Sequence, residues 1–91
     1  LLNKPLQVST RRIYIYMSDF GFALKELKKG NRVSRSGWNG KGMWVNLQNP
    51  TDFSKMSLPY IYMKTVDGKF VPWLANQTDV LSDDWEVLLE D

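Results

Sequence analysis

Four apolar residues near the start of the chain, Phe20, Ala23, Leu24 and Leu27, fall at the i, i+3, i+4, i+7 spacing of a single helical stripe. Ser18 is placed as an N-cap, Asp19 suits a first turn, Lys28 and Lys29 lie near the C-terminal end, and Gly30 is a stop. After Gly30 the period shortens to two. Arg32 to Ser34 reads as a brief extended piece. Met43 to Gln48 reads as a strand with Met43, Val45 and Leu47 on one face and Trp44, Asn46 and Gln48 on the other. Asn49 to Pro59 is a polar loop, and Tyr60 to Thr65 is a strand again. The Asp67-Gly68 pair favours a tight hairpin turn, so Phe70 to Trp73 should run antiparallel to that strand; Pro72 cannot donate to a ladder and puts it at an edge. The polar cluster Asn76 to Asp79, a short apolar patch and Ser82-Asp83-Asp84 precede a last strand, Trp85 to about Glu90. The pattern predicts an α+β fold: one short N-terminal amphipathic helix packed on a small antiparallel sheet of four or five strands.

The first sixteen residues do not share this organisation. Ile13 to Tyr16 has strand composition without polar alternation, and Met17-Ser18 resembles an ordinary protein start, so residues 1–16 are expected to be an extension and 17–91 a single domain. Charge divides at the same place. Lys4, Arg11 and Arg12 give the leading segment +3, leaving nine Lys/Arg against ten Asp/Glu, a net −1, for the rest. A protein that grips nucleic-acid polymers through phosphates needs a basic surface, and the body of the chain has no basic excess, so no nucleic-acid partner is expected. No run has the length of a membrane span or the layout of a secretion signal, so the expected location is the cytoplasm, with no membrane partner.

The 91-residue chain contains neither cysteine nor histidine, which removes thiol nucleophiles, thiolate metal sites and the commonest general base. GWNGKGM, from Gly37, lacks the spacer and the Ser/Thr of a phosphate-binding P-loop. Asp67 and the Asp83-Asp84 pair stand in turn contexts, where carboxylates cap or are solvated. No catalytic residue, metal site or cofactor is expected. What stands out is a stock of rings and amides. A small domain with four tryptophans, Trp38, Trp44, Trp73 and Trp85, can stack a flat ligand, and Asn39, Asn76, Gln77, Thr78 and Asp79 can read its edges or its hydroxyls. The segment from Ser34 to Trp44 combines three glycines with two tryptophans, which suits either a loop whose backbone approaches a ligand or a tight turn whose rings enter the core. Trp85, alternating with Val87 and Leu89, reads as core, and Trp44 fits either role. Trp38 and Trp73 are the preferred ligand contacts, Trp38 from a loop outside the regular strands.

The run from Phe20-Gly21-x-Ala23-Leu24 through GWNGKGM to MKTVDGKFVPWLANQTDVLSDDW resembles the second type of Thoeris anti-defence protein, a small phage and prophage family. The resemblance spans about residues 19–88 and does not include 1–16. It implies a non-catalytic sponge that binds a cyclic ADP-ribose-type signalling nucleotide without cleaving it, so that the defence effector stays inactive; some relatives also, or instead, bind cyclic dinucleotides. It further implies a homotetramer with pockets built between protomers; the expected ligand contacts are Trp38, Asn39, Trp44, Met63, Trp73, Asn76, Gln77, Thr78 and Asp79. Tyr60 and Tyr62 alternate with Ile61 and Met63, so both faces of their strand carry large apolar groups, as expected if one covers the helix and the other meets a second protomer. A structural or interaction module that uses its aromatics for an interface remains the alternative.

Overall fold

The computed structural model describes residues 4–8 and 14–89. Strands β1 (Lys4–Val8) and β2 (Tyr14–Met17) form an antiparallel pair. Helix α1 (Phe20–Lys28) follows, then β3 (Arg32–Arg35), β4 (Trp44–Gln48), β5 (Tyr60–Lys64) and β6 (Phe70–Pro72), a short helix α2 (Gln77–Leu81), and β7 (Trp85–Leu88). The five strands β3 to β7 make one antiparallel sheet in the order β6-β5-β4-β3-β7. The fold is α+β, and β6 stands at a sheet edge, where Pro72 forfeits no ladder donor.

The helix begins at Phe20, where its apolar stripe begins, one residue later than a cap at Ser18 would place it. Ser18 is held extended by two backbone bonds to Trp85, 2.8 and 2.9 Å, so it cannot also open the helix. Asp19 is the N-cap instead, its carboxylate accepting from Phe22 N at 2.9 Å. At the other end Gly30 adopts φ +95°, a left-handed value that a side chain would disfavour, and sends its N–H to Leu27 O while Asn31 N bonds Glu26 O. Those two bonds are the helix-terminating pair that satisfies otherwise orphaned carbonyls.

α1 lies on the face of the sheet that carries Val33, Val45, Trp85 and Val87, and with Ala23 and Leu27 these make the fully enclosed apolar core. Ile61, Met63, Phe20, Trp38 and Trp73 pack around it, half-buried. Register explains the division: Val45 pairs with Met63 and Val33 with both Val45 and Val87, so these side chains share one face. Met63, expected at a ligand, is therefore part of the core shell. The intervening residues Trp44, Asn46, Tyr60 and Tyr62 face the opposite side.

Other boundaries also differ from the sequence pattern: β3 runs one residue further, to Arg35, β4 starts at Trp44 rather than Met43, and β5 ends at Lys64 rather than Thr65. Residues 76–81, read as a polar cluster and apolar patch, form α2, capped by Asn76 Oδ1 on Asp79 N at 2.8 Å. Trp73 lies beyond β6, although its N–H still reaches Ile61 O at 3.0 Å. The last strand ends at Leu88, and Ile13 and Glu90 lie outside the described residues. The Asp67-Gly68 turn does join antiparallel strands, as a three-residue loop with Gly68 at φ +84°.

The shifted helix start gives a direct test. Asp19→Ala should lower stability by about 1 kcal/mol in urea unfolding, and Ser18→Ala by only a few tenths, because the contribution of Ser18 is made by its backbone. Equal losses would restore Ser18 as the cap.

Candidate functional site

The four tryptophans separate into two groups on opposite faces of the sheet. On the helix side Trp85 is fully buried, with Phe20 at 5.3 Å, Trp38 at 5.4 Å and Trp73 at 6.0 Å between ring centroids. Trp38 and Trp73 are themselves 6.4 Å apart, and the three tryptophan pairs are edge-on. An indole N–H buried among rings needs an acceptor, and one residue supplies two. Asp79, 6% exposed, accepts the Trp85 indole on its backbone carbonyl at 2.8 Å and the Trp38 indole on Oδ1 at 3.1 Å.

The same carboxylate is ion-paired. Arg35 Nη1 donates to Asp79 Oδ1 at 2.8 Å, and Arg35 Nε and Nη2 donate to Asp84 at 2.8 and 3.4 Å. Asp84 also accepts from Gly37 N at 2.7 Å and from the Ser36 hydroxyl at 3.5 Å. Burial pushes the Asp84 carboxyl up, but the Arg35 hydrogen bond, the Gly37 N–H and the guanidinium charge outweigh it and hold the group below the ordinary carboxylate value. The Arg35 guanidinium is raised in turn by its hydrogen bonds to Asp84 and then Asp79. A Cβ at Gly37 would stand 2.6 Å from Asp84 Oδ2 and 3.2 Å from Arg35 Nη2, so glycine is required there by close approach to the ion pair.

Trp38 is thus not a free loop tryptophan: its ring rests on the core and its N–H is bonded. Asn76 and Asp79 hold α2 and the rings together. Asn39, Gln77 and Thr78 are exposed. Because Trp38 is bonded to Asp79, its neighbour Asn39 and the α2 residues Gln77 and Thr78 flank one seam between the glycine-rich loop and α2.

On the other face Trp44 meets Tyr62 at 6.0 Å and Phe70 at 6.1 Å, Tyr62 meets Phe70 at 5.5 Å, and the Arg32 guanidinium lies 5.1 Å over the Trp44 ring. Beside these rings opens a groove of about 330 Å³ lined by Gln48, Met56, Tyr60, Tyr62, Phe70, Val71 and Pro72. Trp44 is therefore separated by the sheet from Trp38 and Trp73, and the nine expected site residues do not form one cluster. Arg32, Phe70, Gln48 and Met56 were missed; for Phe70 the hairpin register was the available signal, since pairing Lys64 with Phe70 sets Phe70 diagonal to Tyr62. On this same face Glu86 accepts the Ser34 hydroxyl at 3.4 Å, and burial pushes its carboxyl up, countered by that hydrogen bond and reinforced by the Asp84 charge.

No helix among the described residues is long and apolar enough to cross a membrane, and none of their His, Cys, Asp or Glu side chains group in threes to hold a metal. The class defined by fold and site is a small α+β domain that displays rings and amides. The profile of the Thoeris anti-defense 2-like domain matches residues 18–88. The Thoeris anti-defense 2 protein of Bacillus phage SP01 is 40% identical over 82 residues, covering 76% of this chain and 92% of the phage protein. The chain belongs to the Thoeris anti-defence 2 family.

Two measurements check this geometry. Gly37→Ala should destabilise the protein by about 1–3 kcal/mol in urea unfolding, since the added methyl must displace Asp84 or Arg35; a change below about 0.5 kcal/mol would contradict the close approach. The carboxyls give opposite pH slopes. With its value raised, Glu86 binds its proton more readily in the folded state, so its contribution falls as pH rises from the ordinary 4.5 through its folded value. With its value lowered, Asp84 contributes fully above the ordinary 3.8 and loses that contribution as pH falls through its folded value. Glu86→Gln should therefore gain stability relative to wild type as pH rises above 4.5, whereas Asp84→Asn should close its deficit as pH falls below 3.8.

Proposed function

We propose that this protein blocks Thoeris immunity by binding a cyclic ADP-ribose-type signalling nucleotide and holding it uncleaved. The observation that carries the reading is family membership across residues 18–88, joined to a seam where rings and exposed amides meet. A purine stacks on an aromatic face, and ribose hydroxyls and phosphates take hydrogen bonds from amides and hydroxyls. Trp38 and Trp73 supply ring surface at the seam, and Asn39, Gln77 and Thr78 supply the polar contacts. Asn76 and Asp79 act there by fixing α2, and Met63 by supporting the core beneath.

Removal of a messenger without turnover demands tight retention. Nanomolar affinity corresponds to about 12 kcal/mol, and a small ligand reaches it only where little of the protein must be ordered on binding. Rings and loop already tied to Asp79 and Asp84 favour that condition. The absence of cysteine and histidine, with the Asp79 and Asp84 carboxylates committed to Arg35, supports sequestration over hydrolysis. The outer-face rings favour a different role: exposed Tyr60 and Phe70 and the adjoining groove suit contact with a second copy, in a homotetramer whose nucleotide pockets are completed between protomers. Cyclic dinucleotides are the alternative ligands.

Native mass spectrometry after incubation with glycocyclic ADP-ribose and removal of free ligand tests these elements together. The expected species is a tetramer carrying the nucleotide, which is released with unchanged mass on heating. Release of a cleaved product would make the protein an enzyme, ligand-free protein would leave only an interaction role, and a liganded monomer would overturn the shared pocket.

A further inference from the structure

Arg35 lies at the end of β3 and points to the helix side, on the same face as Trp85, its partner across the strand pair. Its side chain is 13% exposed and reaches two carboxylates that belong to different segments: Asp79 in α2 and Asp84 just before β7. Each carboxylate in turn holds a part of the loop that follows Arg35. Asp84 takes the Gly37 N–H and Asp79 takes the Trp38 indole. The loop has further ties at this end, from Trp38 N to Arg35 O at 3.2 Å, from Ser36 N to Asp84 O at 3.1 Å and from the Ser36 hydroxyl to Asp84 Oδ2 at 3.5 Å. The guanidinium is thus the shared donor of a three-segment clamp.

We propose that Arg35 is a positioning residue that locks the Gly37–Trp38 loop to α2, so that the ring at Trp38 and the polar groups of α2 are presented as one prearranged unit. This rests on the nucleotide-binding reading for its consequence in affinity, but the locking itself concerns the ligand-free protein. Geometry requires arginine. A planar fork with donors on Nε and both terminal nitrogens can engage two carboxylates at once, whereas an ammonium is a point charge without that fixed fork. Removing the fork leaves the Trp38 indole attached to a carboxylate that has lost its ion partner, and leaves Gly37 attached to another. Neither tie breaks outright. Both become free to open separately, as a local event with its own free energy distinct from global unfolding.

A binding surface that is arranged only part of the time binds more weakly in proportion to that fraction. Loosening the clamp should therefore reduce affinity without removing any group proposed to touch the nucleotide. Asp83, Asp84's sequence neighbour, is exposed and forms none of these contacts, so it serves as a control carboxylate of the same segment.

The test uses the full chain, labelled with nitrogen-15, as wild type, Arg35→Lys, Arg35→Gln and Asp83→Asn. Hydrogen exchange is read at the Trp38 indole N–H, at the Gly37 amide and at the amides of β3, β4 and β7, followed by titration with glycocyclic ADP-ribose. In Arg35→Lys and Arg35→Gln, the indole and Gly37 protons should exchange at least about tenfold faster while the strand amides keep their protection; Asp83→Asn should match wild type. The nucleotide dissociation constant of both Arg35 variants should rise measurably, by the reciprocal of the fraction of molecules in which the loop stays closed. If the strand amides accelerate together with the loop, or if neither Arg35 variant folds, Arg35 is a general stabiliser and the positioning role is overturned. Unchanged exchange at Trp38 and Gly37 overturns it as well, and so does a loosened loop with unaltered affinity. A wild-type protein that binds no nucleotide defeats the sequestration reading and, with it, the affinity part of this proposal, while the exchange pattern still decides whether Arg35 locks the loop.

Discussion

The structure depends on how two indole N–H groups are satisfied inside a small aromatic core. Trp85 is completely enclosed and the half-buried Trp38 leans on it, and an indole nitrogen can only donate, so each ring is fixed by an acceptor at a definite place. Asp79 provides both, one from its carbonyl and one from its carboxylate. A carboxylate that is 6% exposed needs charge compensation, which Arg35 supplies. From these requirements the local architecture follows: α2 must sit over Trp85, Asn76 must cap it so that the Asp79 amide is not orphaned, and the loop after β3 must turn tightly enough to bring Gly37 against Asp84.

The sheet then separates two aromatic surfaces with different consequences. The inner one is consolidated by hydrogen bonds and an ion pair and shows the solvent only the margins of Trp38 and Trp73 beside exposed amides. The outer one, Arg32 with Trp44, Tyr62 and Phe70, lies against no helix of the described residues and borders an open groove. In a domain of 91 residues, apolar surface of this kind is what association with another copy would bury. The tied inner seam and the open outer face are what the sequestration proposed above requires.

Most of the architecture was legible because its signals are local. The stripe Phe20, Ala23, Leu24, Leu27 marked α1, alternation through Val45 and Leu47 marked β4, and Asp67-Gly68 marked the β5–β6 hairpin. The helix start was misplaced since the commitment of Ser18 is to Trp85, nearly seventy residues away, and no local rule reports it. α2 was read only as a polar cluster and an apolar patch because Asn-Gln-Thr-Asp carries no helical stripe; its helical state is secured by the Asn76 cap and the burial of Asp79. The motif GWNGKGM was singled out as a stretch whose backbone approaches a ligand or turns tightly into the core, and Gly37 is explained by the Arg35–Asp84 pair, whose members are 49 positions apart. Sequence proximity of Trp38 and Trp44 likewise suggested one site, whereas the loop between them, residues 39–43, and the pleat of β4 send the rings to opposite faces. The family itself was recognisable from the joint motifs GWNGKGM, MKT-x-DG and PWLA-x-QTD, and the match over residues 18–88 agrees with that span.

The claim that Asp79 and Arg35 act as one unit is measured most directly by a double-mutant cycle in urea unfolding, using Arg35→Gln, Asp79→Asn and the pair. Residues in one hydrogen-bonded ionic network couple by about 0.5–3 kcal/mol, whereas independent sites add to within about 0.5 kcal/mol. The largely buried, direct 2.8 Å contact predicts coupling above about 1 kcal/mol, with the double variant less destabilised than the two losses taken together. Simple additivity would contradict the account, since it would mean that the rings and loop are held in place without the ion pair.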